Sequence, residues 1–129
     1  MPTPEAMTAA VHAYVAAFDR ADPSAVRDLF AANATVEDPV GSPPHVGHDA
    51  IYGFYAKSME TGAKLHLEGP VRIAGNSAAF AFSVKLAIND SPMQIDVIDV
   101  FEFNDAGKVV SMRAYFGPGN FSQGAAPHA

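Results

Sequence analysis

Two carboxyl side chains occupy positions that a β-strand would turn toward apolar neighbours. In residues 95–103 every second side chain from Ile95 onward is apolar except Asp99, so a strand there has one carboxyl on an apolar face. A lone ionised carboxylate is costly to bury, and such a group tends to protonate instead. Asp99 is therefore predicted to be a neutral hydrogen-bond donor, suited to a ligand oxygen that gains negative charge.

Asp38 repeats this pattern in a second segment. A short strand is predicted over residues 34–40, where Asp38 points to the same side as two valines and Glu37 points away. Because a proline and a glycine follow closely, Asp38 taken alone could equally be a turn residue. Together with Asp99, it favours a divided task in which one carboxyl is an ionised base and the other a protonated donor.

Two tyrosines lie on the apolar stripes of predicted helices. Tyr14 shares the stripe of the first helix, and Tyr55 shares that of a third helix which Asp49 is expected to cap. Each is either a core tyrosine whose hydroxyl meets a backbone partner or a phenol directed into a pocket. Spacing alone does not decide between these two interpretations.

Composition excludes several classes of function. Eight basic and 14 acidic residues give a net charge of −6, without the basic run that binds nucleic acid or an anionic membrane surface. The absence of cysteine excludes thiol catalysis, disulfides and thiolate metal sites. His45 and His48 have no carboxylate at metal-ligand spacing, so we expect no metal. With no signal peptide or membrane-spanning run visible, we expect a cytoplasmic protein.

The order of predicted elements indicates an α+β domain. Helical patterns surround the short strand, and four strand-like segments follow at residues 64–74, 78–88, 95–103 and 108–116. We expect the helices to cover one face of a mostly antiparallel sheet, leaving a pocket between the layers. A single domain spanning residues 1–129 is predicted, with a loose tail at 117–129 because of its glycine, alanine and proline content.

Several segments together are similar to a known family of enzymes. They are Tyr14 on the first helix, ATVEDPVG at 34–41, FY at 54–55, IDVF at 98–101 and GKVVSMRA at 107–114. On these segments the chain resembles the bacterial Δ5-3-ketosteroid isomerases over about residues 3–120. The VEDPVG segment and the Asp99 strand carry most of the specificity.

The resemblance implies a fold, a reaction and four residue roles. The fold is the NTF2-like cone, a curved sheet over three helices, and the assembly is a homodimer. Asp38 matches the general base, Tyr14 and Asp99 the two donors to the oxyanion, and Tyr55 the tyrosine that supports Tyr14. Ketosteroid isomerases are themselves an established example of this division between carboxyls, so these roles come from the resemblance. Phe30 departs from those relatives that carry a further tyrosine nearby.

The implied reaction moves a double bond into conjugation with a 3-keto group and uses no cofactor. A steroid substrate would lie in an apolar cleft, for which five aromatic residues are candidates: Phe54, Phe80, Phe82, Phe101 and Phe116. Another pocket enzyme of the same fold, of the polyketide cyclase or epoxide hydrolase type, is the main alternative. A non-catalytic module that binds hydrophobic ligands is the other, although it would not need a base at Asp38.

Overall fold

The structure is a computed structural model that describes residues 1–124. The helices in this range are α1 (Pro4–Asp19), α2 (Pro23–Arg27) and α3 (His48–Met59). The strands are β1 (Phe30–Glu37), β2 (His45–Val46), β3 (Lys64–Leu67), β4 (Arg72–Ala74), β5 (Ser77–Ile88), β6 (Ser91–Phe103), β7 (Val109–Tyr115) and β8 (Phe121–Gln123). None of the helices within residues 1–124 combines the length and the apolar character needed to cross a bilayer.

The first helix begins where its capping residues predict, and the third does not. The Thr3 side chain accepts a hydrogen bond from the Ala6 amide at 3.1 Å, which satisfies one of the free amides at the start of α1. Asp49 was expected to cap α3, but it lies inside the first turn, where a negative charge favours the positive helix end. Gly47 takes the cap position, and its φ of +88° explains why glycine stands there.

The sheet confirms the predicted α+β class and the mostly antiparallel pairing. The strand order is β2-β1-β7-β6-β5-β3, with β4 also paired to β5 and β8 also paired to β6. Only the β1–β7 pairing is parallel within the described residues. The predicted segment at 64–74 is divided into β3 and β4, which flank Gly69 and Pro70, because proline cannot donate to the ladder.

The helices and one face of the sheet enclose the apolar core. Helix α1 packs on β3, β4 and β5, whereas α3 packs on β1 and β2. The core includes Phe30 and Phe101, both almost fully buried. On the opposite face of the sheet, Ile98 and Tyr115 are 49% and 44% exposed. The sheet therefore has one buried face and one open face, as an antiparallel sheet commonly does.

The segment after β7 is ordered up to residue 124, so the prediction of a loose tail from 117 onward is wrong there. A 3-10 turn leads into β8, in which Phe121 pairs with Ile95 and the Phe121 ring packs 5.9 Å from that of Phe116. The physical reason is that β7 pairs with β6 only from Ile98 onward, which leaves the earlier part of β6 with a free backbone edge. Residues 125–129 lie outside the described residues.

Candidate active site

A partly open cavity of about 260 Å³ lies between the helices and the inner face of the sheet. One wall of the cavity is formed by β5 and β6, where Asp99 pairs with Phe80, Val97 with Phe82 and Ile95 with Val84. At about 3.3 Å per residue, the wall from Asp99 to Ile95 is roughly 13 Å long. The lining residues are Tyr14, Phe18, Asp38, Phe54, Tyr55, Ser58, Ala63, Leu65, Phe82, Val84, Leu86, Ile95, Val97, Asp99 and Phe116.

Two buried tyrosine hydroxyls meet in the wall of this cavity. The Oη atoms of Tyr14 and Tyr55 are 2.9 Å apart, and the side chains come from α1 and α3. Burial is the main cause that raises the pKa of both hydroxyls well above the ordinary tyrosine value, so both keep their protons. One hydroxyl donates to the other, and the accepting hydroxyl still has its own proton to give.

The Asp99 carboxyl is buried in the same wall without a partner. The residue is 1% exposed, and neither carboxyl oxygen has a hydrogen-bond partner among residues 1–124. Burial first, and then the charge of Asp38, raises the pKa of Asp99 well above its ordinary value. The Tyr14 hydroxyl lowers the Asp99 pKa to a smaller extent, although it forms no hydrogen bond of good geometry with either carboxyl oxygen. Asp99 is thus a protonated donor that faces a cavity and lacks an acceptor.

Asp38 is the second carboxyl on the cavity, and it lies just after β1 rather than within a strand. The structure places Asp38 in the bend after β1, where it is half-buried and also lines the cavity. Burial raises the pKa of Asp38 to about 6, so this carboxyl is largely ionised at neutral pH. The two aspartates therefore differ in protonation, and one can accept a proton while the other donates a hydrogen bond.

Three of the five predicted aromatic lining residues face the cavity, and two do not. Phe54, Phe82 and Phe116 line it. Phe80 and Phe101 instead lie in the core behind Tyr14, whose ring is 6.2 Å and 5.1 Å from theirs. They share the inward face of the sheet, as their alternation indicates, but α1 covers that part of the face. Their contact is with the Tyr14 ring, which they help to hold in place.

Several lining residues were absent from the candidates found in the sequence. Val97 and Ile95 share the face of Asp99, so the period of two already placed them on the correct side. Ser58 lies one helical turn beyond Tyr55 and adds a hydroxyl to the wall. The Thr61 carbonyl accepts the Ala87 amide at 3.3 Å, which brings this end of α3 to the outer end of β5.

The two loop histidines have structural neighbours. The His45 ring stacks on the outer side of Phe54 with 4.4 Å between ring centroids. His48 Nε2 lies 2.8 Å from the carbonyl oxygen of Phe30, in a contact that ties the start of α3 to β1. In the part of the chain that the structure describes, no three His, Asp or Glu side chains are grouped to hold a metal ion.

Comparison with known proteins places this geometry in a family. The SnoaL-like domain family matches residues 11–112, a range that includes both aspartates and both tyrosines of the cavity. The Steroid Delta-isomerase of Nocardioides simplex is 39% identical over 113 residues, which cover 87% of this chain and 90% of that protein.

A solved structure shows the same fold at a greater distance in sequence. SalBIII, described as an epoxide hydrolase/cyclase-like enzyme with a role in pyran ring formation in polyether salinomycin, superposes with a TM-score of 0.89. Its sequence is 25% identical, and the match covers 96% of this chain and 100% of that one. The predicted NTF2-like fold is thereby confirmed, and the chain belongs to the SnoaL-like domain family as a homologue of a steroid Δ-isomerase.

Proposed function

We propose that this protein isomerises Δ5-3-ketosteroids to the conjugated Δ4-3-ketosteroids. The observation that carries the proposal is the buried Asp99 carboxyl, protonated and without an acceptor, on the same cavity as the ionisable Asp38. A neutral carboxylic acid without a hydrogen-bond partner is costly to bury in an apolar wall, unless a ligand oxygen accepts its hydrogen bond. The 39% identity to a steroid Δ-isomerase supplies the substrate class.

The proton transfer is assigned to Asp38. Its carboxylate takes the proton from C4, the C4–H electron pair moves into conjugation with the ketone, and a dienolate forms with its charge on the C3 oxygen. The same carboxyl then returns the proton to C6, which leaves the double bond between C4 and C5. A base whose pKa lies near 6 can take up and release a proton at neutral pH without a large penalty in either step.

Stabilisation of the dienolate oxygen is assigned to Tyr14 and Asp99. The two hydroxyls of Tyr14 and Tyr55 are 2.9 Å apart and either can be the donor; when Tyr55 donates to Tyr14, the Tyr14 proton is free for the ligand. Both donors are almost fully buried, at 2% and 1% exposure. In a site from which water is excluded, fixed donors interact strongly with a charge that develops during the reaction. Tyr55 acts through Tyr14 and is a positioning residue.

The shape of the cavity fits a flat, apolar substrate. The wall beyond Asp99 consists of Val97, Phe82, Ile95 and Val84 for roughly 13 Å, all of them apolar side chains. Phe54 and Phe116 add aromatic surface. Burial of a fused-ring skeleton along this wall would supply binding free energy, and the donors at one end would fix its orientation.

A spectroscopic assay tests the proposal. A Δ5-3-ketosteroid is added to the purified protein, and the absorbance of the conjugated enone is followed with time. The expected result is a rate proportional to protein concentration that Asp38→Asn protein, prepared identically, does not reproduce. Equal rates with and without the wild-type protein would contradict the function.

A second candidate function follows from the likeness to SalBIII. Two carboxyls with raised pKa values on one apolar cavity could also protonate and open an epoxide. Incubation with an apolar epoxide in 18O-labelled water distinguishes the two, because a hydrolase incorporates the label into a diol. A module that only binds ligands would take up a fluorescent steroid and convert neither substrate.

The pH dependence of kcat/KM should follow the ionisation of Asp38. The pKa of this carboxyl is raised to about 6, and only its ionised form can accept the C4 proton. We expect kcat/KM to be constant at neutral pH and to fall about tenfold per pH unit well below pH 6. Initial rates between pH 4.5 and 8 measure the profile. A rate that stays flat down to pH 4.5 would show that no group with a pKa near 6 acts as the base.

We also propose a homodimer that forms through the open face of the sheet. Ile98 on β6 and Tyr115 on β7 are paired across the ladder and are both exposed, and Val100 beside them is half-buried. A contiguous apolar patch of this kind commonly marks an interface. Light scattering at micromolar concentration should give twice the mass of the chain, and Ile98→Glu should shift it toward the monomer. A monomeric wild-type protein would refute the proposal.

A further inference from the structure

Within residues 1–124, no hydrogen bond holds the carboxylate of Asp38. Burial is the cause that changes its pKa, and no hydrogen bond from the rest of residues 1–124 stabilises its ionised form. This suits a base that must stay reactive, because each hydrogen bond to the carboxylate would lower its basicity. The position of Asp38 then depends on its backbone, which lies in the turn that follows β1.

We propose that Glu37 and Arg113 are positioning residues for the base, holding the turn that carries Asp38 against strand β7. The inference rests on the proposed function of Asp38. Glu37 is the last residue of β1, and its side chain points away from the cavity side occupied by Asp38. Its Oε2 accepts the Gly41 amide at 2.9 Å and closes the turn, while its Oε1 accepts Nε of Arg113 at 3.0 Å.

The other end of this connection is fixed on β7. Glu37 and Arg113 are direct partners in the parallel β1–β7 register. The Arg113 guanidinium lies 5.7 Å from the centre of the Tyr115 ring, which limits its movement. The Val40 amide donates to the Ala114 carbonyl at 2.8 Å, so the turn is attached to β7 through its backbone as well. Asp38 lies between these two attachments.

The same contacts explain little about folding stability. The side chains of Glu37 and Arg113 are 26% and 44% exposed, and exposed ion pairs contribute little to the free energy of unfolding. The Gly41 amide, followed by Arg113, lowers the pKa of Glu37, so its carboxylate remains an acceptor wherever Asp38 is ionised. We expect Glu37 and Arg113 to affect the reaction rate through the position of Asp38, since a displacement of about 1 Å in a reacting group can reduce a rate about a hundredfold.

Steady-state kinetics of matched variants test this role. Glu37→Ala should lower kcat by about tenfold to a hundredfold while KM changes by less than about twofold, because the cavity wall is unaltered. Glu37→Gln keeps one carbonyl acceptor and should recover part of the loss. Asp28→Ala removes a comparable exposed ion pair, that with Arg27 at 3.1 Å, and should leave kcat unchanged. Thermal unfolding shows whether each variant is folded. If Glu37→Ala does not fold, the kcat of Glu37→Gln is compared with that of the wild type instead.

A titration of Asp38 separates positioning from simple electrostatics. Carboxyl-labelled NMR of the free protein follows this titration in wild type, Glu37→Ala and Arg113→Ala. If the turn is released, Asp38 becomes more solvated and its pKa falls from about 6 toward the ordinary value in both variants. A purely electrostatic influence predicts opposite shifts, because one variant loses a negative charge and the other a positive charge.

The outcomes are distinct from those of the function assay. A fall in the Asp38 pKa in both variants, with lower kcat, supports the role of Glu37 and Arg113. Unchanged kcat in Glu37→Ala, or Asp38 shifts of opposite sign, overturns it. A wild-type protein without isomerase activity would remove the proposed function, and the titration alone would then decide whether this pair positions the carboxyl.

Discussion

Replacing Asp38 with asparagine is expected to lower the turnover of a Δ5-3-ketosteroid by at least about a hundredfold. The amide keeps the size and shape of the side chain, but it cannot take the proton from C4. Because the cavity wall and the two donors are unchanged, the dissociation constant of the steroid should change little. The measurement is enone formation at saturating substrate, combined with fluorescence titration of a bound product.

A matched substitution makes this result specific to the position. Asp28 is an exposed aspartate in the ion pair with Arg27 and does not line the cavity, and Asp28→Asn makes the same chemical change. That variant should retain wild-type turnover. Near-normal turnover in the Asp38→Asn protein would show that another group is the base. A parallel loss of binding would instead indicate that Asp38 supports the cavity.

The alternation typical of a strand predicted the position of Asp99 correctly and that of Asp38 only in part. Asp99 lies within the long strand β6, where burial alternates over residues 96–103, and the structure buries it as expected. For Asp38 the predicted strand at 34–40 is displaced, since β1 spans Phe30–Glu37 and ends one residue before it. The side chain still reaches the cavity, because the turn is fixed on β7 by contacts far away in the sequence.

The alternation of apolar residues does not predict which part of a strand face lines the cavity and which part lies in the core. Phe80 and Phe82 share one face of β5, yet only Phe82 touches the cavity, because the Tyr14 ring of α1 covers Phe80. Where a helix crosses a sheet is set by packing between layers rather than by the pattern in either segment. Strand β8 was not predicted for a similar reason. It forms on the free edge of β6, and its own composition does not indicate a strand.

The contact between the two tyrosines is also beyond the helical pattern. Tyr14 and Tyr55 are 41 residues apart, and periodicity places each on an apolar stripe without indicating which stripes face each other. The family resemblance supplied this pairing, and the 2.9 Å distance between the hydroxyls agrees with it. The pattern of apolar residues in the sequence therefore does not predict roles that depend on contact between two helices.

Removing either donor to the dienolate oxygen is the second substitution with a large expected effect. Asp99→Ala and Tyr14→Phe should each reduce kcat by about 10²- to 10³-fold, because each removes one fixed, buried donor. Steroid binding should fall much less, since the interaction is strongest with the charged intermediate. Asp96→Asn, on the opposite and exposed face of β6, should be neutral. If these variants bound the steroid more weakly but kept the wild-type kcat, Tyr14 and Asp99 would not be the donors to the dienolate oxygen.

Asp99→Asn should be folded and more active than Asp99→Ala, because its amide still donates a weaker hydrogen bond. The folded state raises the pKa of Asp99, so above the unfolded value near 3.8 it keeps a proton that the unfolded chain releases. The free energy of unfolding therefore falls as pH rises from there, and it levels off above the folded pKa. The asparagine variant should lack this part of the pH dependence. Carboxyl-labelled NMR decides the matter, since an ordinary low pKa at Asp99 would show an ionised side chain that cannot donate to the dienolate.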